Sequence, residues 1–262
     1  MFSKYIILFV IYSVLGFLWE SFFCLFQYGE WSRRGFLHGP LCPIYGFGAL
    51  IVTVLVDKIP YLSINNSHYA IRIFIISCVG SAILEYVTAT ILEKVFHAAW
   101  WDYSMFPLNF QGKVCLFCTL GFGVAGIFIP KYLIPYIVSM VDSIPHILYE
   151  PIAFILIAII ASDLTLTIST LTDFVRKVDE LDASFNGKME NIVDGVKQKG
   201  INAKDGLLIR KEKYIDANIK KFTNTKDYLY KGTINRITGF KFKVNSGKNN
   251  FAIKIKNILN KN

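Results

Sequence analysis

The stretch YIILFVIYSVLGFLWESFFCLFQ, residues 5–27, decides the fold class of this chain. It is a long apolar run in which Glu20 is the only charged residue. A helix needs roughly 20 mostly apolar residues to cross the hydrocarbon core of a bilayer, which is about 30 Å thick. Because no small-residue cleavage pattern follows the run, we interpret it as a retained membrane span rather than a signal peptide.

The whole composition agrees with a membrane protein. The chain is 53% hydrophobic and 15% aromatic, only 18% of it is charged, and its mean hydropathy is +0.43. These values lie outside the usual range of soluble domains. The sequence therefore predicts an all-α fold, a polytopic transmembrane helix bundle of about five spans. The predicted spans are 5–27, 38–56, 70–93, 114–130 and 148–172.

The second and fourth spans have irregular neighbours. The second begins with GPLCPIYGFG, whose Gly and Pro residues predict irregular backbone in its first turns. Such backbone is tolerated at membrane depth only where it is buried in protein or faces a watery cavity. After the fourth span, Pro135, Asp142 and Pro145 interrupt the apolar residues of 131–147, so we predict an interfacial segment there rather than a sixth span.

Charge divides the chain into two predicted regions. Residues 1–174 hold 8 Lys/Arg and 10 Asp/Glu, whereas residues 175–262 hold 20 and 9. We predict a transmembrane domain over 1–174 and a basic cytoplasmic tail, partly helical or disordered, over 175–262. Since Lys and Arg collect on the cytoplasmic side, the C-terminus is expected on the cytoplasmic side of the cell membrane, with the tail near anionic inner-leaflet lipids. The tail contains no RNA-binding module motif, so a nucleic acid partner is not expected.

Three acids lie well inside the predicted spans, where charge is expensive to place and usually functional. They are Glu20, Glu85 and Asp163. Each shares a helical face with small or polar residues, as Tyr12 and Gly16 do with Glu20. Such stripes on three spans indicate a common polar interior. The alternative is that these groups only hold the helices together through mutual hydrogen bonds.

The linker AAWWDYSMFPLNFQGKVC, residues 98–115, is unusually rich in aromatic and hydrogen-bonding groups. Trp100 and Trp101 alone would suggest an interfacial aromatic belt. A belt leaves Asp102, Tyr103 and Asn109 unexplained. We therefore predict that this linker folds back toward the polar interior, and that Arg34 pairs with the acids there.

Three blocks of the sequence are distinctive together: GFLWES at 16–21, RRGFLHGPLCPIYGFGAL at 33–50 and WWDYSMFPLNFQGKVCLFCTLGFGVAG at 100–126. They resemble the bacterial integral membrane proteins grouped as CmpB-type ABC-transporter permeases. The resemblance covers about the first half of the chain. The residues that it and the polar stripes predict to bind substrate or line a cavity are Glu20, Arg34, Gly39, Pro40, Pro43, Tyr45, Gly46, Glu85, Trp101, Asp102, Tyr103 and Asn109.

The resemblance implies a transporter component with a polar, acid-lined intramembrane cavity. The chain contains no Walker A pattern G-x-x-x-x-G-K-[ST], so an ATPase would be a separate subunit. The loop 94–113 could be its docking site. No cofactor or metal is expected, because the five cysteines lie in apolar surroundings and the C-x-x-C at Cys115 and Cys118 has no second ligand pair.

Two other functions stay open at this point. The acids and Tyr103 could serve acid–base chemistry in an intramembrane enzyme that acts on a lipid or isoprenoid. The sequence contains no H-E-x-x-H, G-x-S-x-G or Asp-rich diphosphate motif, which weakens the support for an enzyme. A non-catalytic membrane scaffold is the third possibility, and it predicts that neutralising Glu20 would leave function intact.

Overall fold

A computed structural model describes residues 2–28, 35–62, 68–199, 234 and 236–240. The described chain is mostly helical. Its α-helices are α1 Phe2–Tyr28, α2 Pro43–Lys58, α3 Tyr69–Phe96, α4 Leu116–Phe128, α5 Ile134–Asp142 and α6 Tyr149–Lys199. Short 3-10 turns occupy Pro60–Leu62 and His146–Leu148, and a π-helical segment occupies Ile129–Leu133. The strands are β1 Ala98–Ala99, β2 Asn109–Phe110, β3 Val114–Cys115 and β4 Gly239–Phe240.

Four helical segments of the described chain are long and apolar enough to cross a membrane. This confirms the predicted all-α, polytopic transmembrane fold. The remaining predicted span, 38–56, corresponds to α2, whose 16 residues are about 24 Å long at 1.5 Å per residue. The four segments are Phe2–Phe26, Tyr69–Phe96, Leu116–Asp142 and His146–Glu180.

Irregular backbone precedes α2, as the Gly and Pro residues predict. Residues 35–42 form bends and open chain, and α2 begins only at Pro43. Proline is favoured there because its ring pre-sets the helical φ and its missing N–H would be unpaired in a first turn anyway. The N–H of Cys42 donates to the carbonyl of Ser13, near the middle of α1, at 2.9 Å. This segment, 35–42, therefore reaches the interior of the bundle.

The fourth span differs from the prediction. Helical structure runs from Leu116 to Asp142 instead of ending near residue 130, so part of the predicted interfacial segment belongs to a helical segment that is long and apolar enough to cross a membrane. Pro130 and Pro135 stand in the first turns of the π-helical segment and of α5. Proline is tolerated at such positions, and one wide π turn keeps the two α-helices continuous.

The described residues divide into two compact units. One unit contains residues 1–92 and 100–167, and the other contains 93–99 and 168–262. The predicted domain boundary at 174–175 falls inside α6. In the second unit β1 pairs antiparallel with β4, and the Thr238 N–H donates to the Ala99 carbonyl at 2.6 Å. The tail residues 200–233, 235 and 241–262 lie outside the described residues.

In the first unit, the beginning of α1 packs against α5 and the start of α6. Lys4 pairs with Asp142 at 2.5 Å, and the Tyr149 hydroxyl donates to the Val141 carbonyl at 3.0 Å. These contacts anchor α1 beside the fourth span. The buried apolar cluster between these helices consists of Ile7, Leu8, Tyr12, Ile134, Ile137, Val141 and Tyr149.

Glycines allow close helix contacts at two places in the first unit. A Cβ on Gly16 would overlap Tyr45, and one on Gly46 would overlap Ser13 and Phe9, so α1 and α2 approach closely. In α4, a Cβ on Gly126 would overlap Ser77 of α3. Small residues at helix contacts are typical of membrane bundles, where association depends on close packing.

We predict that Gly126→Ala and Gly121→Ala have opposite effects, although both lie in α4. The new methyl of Gly126→Ala collides with Ser77, and such overpacking costs roughly 1–3 kcal/mol. Gly121 has open space around it, so Gly121→Ala should gain up to about 1 kcal/mol of helix propensity. Thermal unfolding of both variants in detergent measures the difference. Equal melting temperatures would contradict the close α3–α4 contact.

Candidate functional site

The first carboxyl–phenol pair joins α1 to α2. The Tyr45 hydroxyl donates to Glu20 Oε1. Gly16, one helical turn before Glu20, leaves the room that the Tyr45 side chain occupies. Glu20 is half-buried, and Trp19 beside it points outward with 65% of its surface exposed. The helix thus directs Glu20 inward toward α2 while its aromatic neighbour faces lipid.

The second carboxyl–phenol pair lies near the middle of α3. Glu85 follows Tyr69 by about 24 Å of helix in a span of about 42 Å, calculated at 1.5 Å per residue. The Tyr103 hydroxyl donates to Glu85 Oε1 at 3.1 Å. Glu85 is only 6% exposed, and its Oε2 has no hydrogen-bond partner within the described part of the chain. A carboxyl group that is buried this deeply and has one oxygen without a hydrogen bond is unusual in a helix bundle.

Tyr103 reaches Glu85 because the linker folds back along α3. Strands β2 and β3 pair antiparallel, with Asn109 opposite Cys115, and form a hairpin over residues 100–115. The Lys113 ammonium donates to Thr90 at 3.1 Å, and the Phe110 ring lies 5.6 Å from that of Tyr86. These contacts lie two to three turns before the end of α3, so the hairpin re-enters toward the middle of the bundle.

Asp102 holds the turn that presents Tyr103. Its Oδ1 accepts hydrogen bonds from the Ser104 hydroxyl and from the Ser104 N–H, the latter at 2.9 Å. The Tyr103 N–H donates to the Gly112 carbonyl at 2.8 Å. Gly112 has a φ of +68°, and a Cβ there would lie 2.7 Å from Asp102 Oδ1, so this turn requires glycine. The Asp102 side chain is exposed, and we assign its effect on the site to this turn.

Asn109 and Trp101 close the other side of the hairpin. Asn109 accepts from the Gly112 N–H at 2.9 Å and donates to the Phe106 carbonyl at 2.8 Å. The Trp101 indole N–H donates to the Lys113 carbonyl at 2.9 Å. The side chains therefore satisfy backbone groups that neither a helix nor a sheet satisfies. Such pairing is needed wherever irregular backbone lies at membrane depth.

Trp100 differs from the belt interpretation. It is only 6% exposed, and its ring lies 5.5 Å from that of Phe36. An interfacial belt residue would instead present its ring to the headgroups. Trp100 therefore packs the hairpin against segment 35–42.

The two carboxyl–phenol pairs lie against α4 and form one cluster. The Tyr45 ring lies 6.1 Å from that of Phe122, which is one turn after Cys118 in α4. Cys118 of α4 is within hydrogen-bonding reach of Tyr103. We call Glu20, Tyr45, Glu85 and Tyr103 the Glu–Tyr cluster. It receives side chains from α1, α2, α3 and the hairpin, and α4 closes it.

Tyr103 stays a hydrogen-bond donor throughout the neutral pH range. Burial raises the pKa of its phenol well above the ordinary value, and the nearby Glu85 carboxyl raises that pKa further. The neutral phenol is therefore the form present at any physiological pH. It can donate to a carboxylate or to the carbonyl oxygen of a carboxylic acid.

The third intramembrane acid, Asp163 of α6, holds segment 35–42. Its two carboxylate oxygens accept the N–H groups of His38 at 2.9 Å and Gly39 at 2.8 Å. His38 Nδ1 lies 2.8 Å from the Thr167 hydroxyl, one turn further along α6. A Cβ on Gly39 would lie 2.8 Å from Asp163 Oδ2, which only glycine avoids. This is a clamp on backbone rather than an open polar site.

The predicted site residues fall into three places. Glu20, Tyr45, Glu85 and Tyr103 come together in the cluster, while Trp101, Asp102 and Asn109 shape the hairpin. Gly39 lies at the Asp163 clamp, and Gly46 lies in the α1–α2 contact. Pro40 is exposed, and Pro43 begins α2. Arg34 lies outside the described residues, so its predicted pairing with the acids stays a prediction.

Sequence reasoning missed His38 and Cys118 as parts of these sites. His38 stands inside the GFLHGP block, beside glycines that marked irregular backbone. Cys118 is the second cysteine of the C-x-x-C, one turn into α4, where it faces Tyr103. Their positions next to unusual local sequence were the available signal. Among the described residues no group of three or more His, Cys, Asp or Glu side chains could hold a metal ion.

Residues 7–168 match the model of one protein family, ABC_trans_CmpB, described as "Putative ABC-transporter type IV". The chain belongs to this family. The match confirms the resemblance and contains both carboxyl–phenol pairs, the hairpin and the Asp163 clamp. No curated protein and no solved structure matches the chain. The family description and the four apolar segments fit a component of a multi-pass membrane transporter.

We predict that Asp163→Ala releases segment 35–42. The change removes two charge-assisted hydrogen bonds, each worth about 1.5–3 kcal/mol. Every 1.4 kcal/mol that is lost raises the equilibrium constant for opening of the segment about tenfold. Cys42 ends the segment and is 6% exposed. Its maleimide labelling, followed by mass spectrometry, should therefore accelerate at least about tenfold.

Two further variants complete this experiment. Asp163→Asn keeps one good acceptor oxygen and should give an intermediate rate. Asp173→Ala removes an acid on the same helix that pairs with Arg176 and Lys177, and should leave Cys42 labelling unchanged. A wild-type labelling rate in Asp163→Ala would contradict the clamp.

Proposed function

We propose that this protein is the membrane-embedded component of a transporter, and that the Glu–Tyr cluster is where the transported substrate or a coupling ion binds. The observation that carries the proposal is Glu85, which is 6% exposed near the middle of α3 and has one oxygen without a hydrogen bond in the described chain. Acids in such places are expensive to keep and mark ion or substrate pathways.

The arrangement around the cluster supports transport over packing alone. Helix glue would pair both oxygens of each acid, because an unsatisfied buried polar group costs about 1–3 kcal/mol. The clamp at Asp163 shows that pattern, with both oxygens accepting backbone N–H groups. Glu85 instead accepts one bond on Oε1. The contrast within one bundle supports a ligand-binding role for Glu85 and a structural role for Asp163.

The energy source in this proposal is a separate ATPase subunit. The chain lacks a Walker A pattern, and the family is described as an ABC transporter. In this proposal the hairpin lies on the cytoplasmic side of the membrane, where the ATPase binds. The hairpin connects that side directly to the Glu–Tyr cluster through Tyr103. Docking of the ATPase near residues 94–113 would therefore act on the cluster.

A second candidate function is acid–base catalysis on a lipid. The specific observation is the hairpin tip, where Met105 is 93% exposed, Leu108 70% and Phe110 60%. These side chains lie a few residues from Tyr103 and would contact acyl chains. A lipid beside the cluster could exchange a proton with Glu85. In this function the bound lipid would change chemically, whereas a transporter returns its cargo unchanged.

We predict that the tagged protein, purified from its native membrane in mild detergent, carries a stoichiometric nucleotide-binding subunit that mass spectrometry identifies. The complex should hydrolyse ATP. Glu20→Gln and Glu85→Gln should each lower this activity at least about tenfold, corresponding to the loss of one interaction of about 1.4 kcal/mol. The control Glu150→Gln alters an exposed acid in the first turn of α6 and should be without effect.

The other results separate the alternatives. A complex without any ATPase, but with a lipid that becomes modified, would replace the transporter proposal by the enzyme. An ATPase whose activity is unchanged in both glutamine variants would show a scaffold that recruits a motor without using the cluster. Melting temperatures of all variants establish that each is folded.

A further inference from the structure

The charge state of Glu85 follows from its surroundings. In the described chain no Lys or Arg pairs with Glu85, and the nearest acid that interacts with it is Glu20. The other titratable groups that face it are Tyr103 of the hairpin and Cys118 of α4, and both donate only weakly acidic protons. None of these groups is a cation.

Magnitudes decide between the ionised and the neutral carboxyl. An ionised carboxylate without a cation costs several kcal/mol in a protein interior, even after relaxation. A neutral carboxyl with one unpaired hydroxyl costs about 1–3 kcal/mol. The neutral form is therefore favoured at this depth. Tyr103 donates to Oε1, which is the carbonyl oxygen of the neutral form, so Oε2 is left to carry the proton.

A metal cation does not fit the same position. Sodium-like or divalent ions need several oxygen ligands, and Ca²⁺ takes 6–8. The described residues contain no group of three or more His, Cys, Asp or Glu side chains that could hold a metal ion. A proton needs only the one lone pair that Oε2 has free.

We infer that Glu85 is a proton-binding site, which holds its proton on Oε2 while Tyr103 donates to Oε1. The role of this proton rests on the proposed function, in which it is the coupled or co-transported ion.

Infrared spectroscopy of the full chain in lipid vesicles tests the bound proton. At neutral pH the wild type should show a carboxylic acid C=O band that disappears in Glu85→Gln and persists in the exposed control Glu150→Gln. In Tyr103→Phe the band should move to higher wavenumber, because the carbonyl oxygen loses its hydrogen bond. Absence of the band in wild type, or its persistence in Glu85→Gln, would overturn the bound proton.

Since the infrared readout uses neither ATP nor substrate, failure of the transporter proposal leaves its result interpretable.

Discussion

The structure depends on one constraint: backbone that is not helical must still satisfy its hydrogen bonds at membrane depth. Two such segments enter this bundle, residues 35–42 and the hairpin 100–115. Asp163 pairs the N–H groups of the first, while Asp102, Asn109 and Trp101 pair those of the second. Polar side chains that look like active-site groups in the sequence are therefore used first to hold backbone in place.

The cluster of Glu20, Tyr45, Glu85 and Tyr103 is the consequence of that arrangement. Segment 35–42 delivers Tyr45 at the start of α2, and the hairpin delivers Tyr103 to the middle of α3. Each phenol then donates to an acid on a neighbouring helix, Tyr45 to Glu20 and Tyr103 to Glu85. The clamp at Asp163 and the half-paired Glu85 show how two acids in one bundle acquire different roles from the number of bonds each receives.

Much of the fold was predictable because its signals are local. Apolar length indicated the spans, and Gly and Pro indicated irregular backbone before α2. Glu20 and Glu85 stood out because acids are rare in apolar runs, and Tyr103 stood out because its linker combines aromatic and hydrogen-bonding groups. The end of the fourth span was missed, since a π-helical segment accommodates Pro130 and Pro135 in a way that proline content alone does not reveal. An interfacial belt was one interpretation of Trp100, yet packing against Phe36 buries this side chain.

The sequence by itself determined that this protein lies in a membrane, that it is helical and which acids needed an explanation, because hydrophobicity and charge act residue by residue. Only the tertiary structure decided which acid is paired and which is left with a free oxygen. That outcome depends on contacts between residues 18 to 125 positions apart, such as Tyr103 with Glu85 and His38 with Asp163. Such contacts exist only after the helices pack, and no local pattern specifies them.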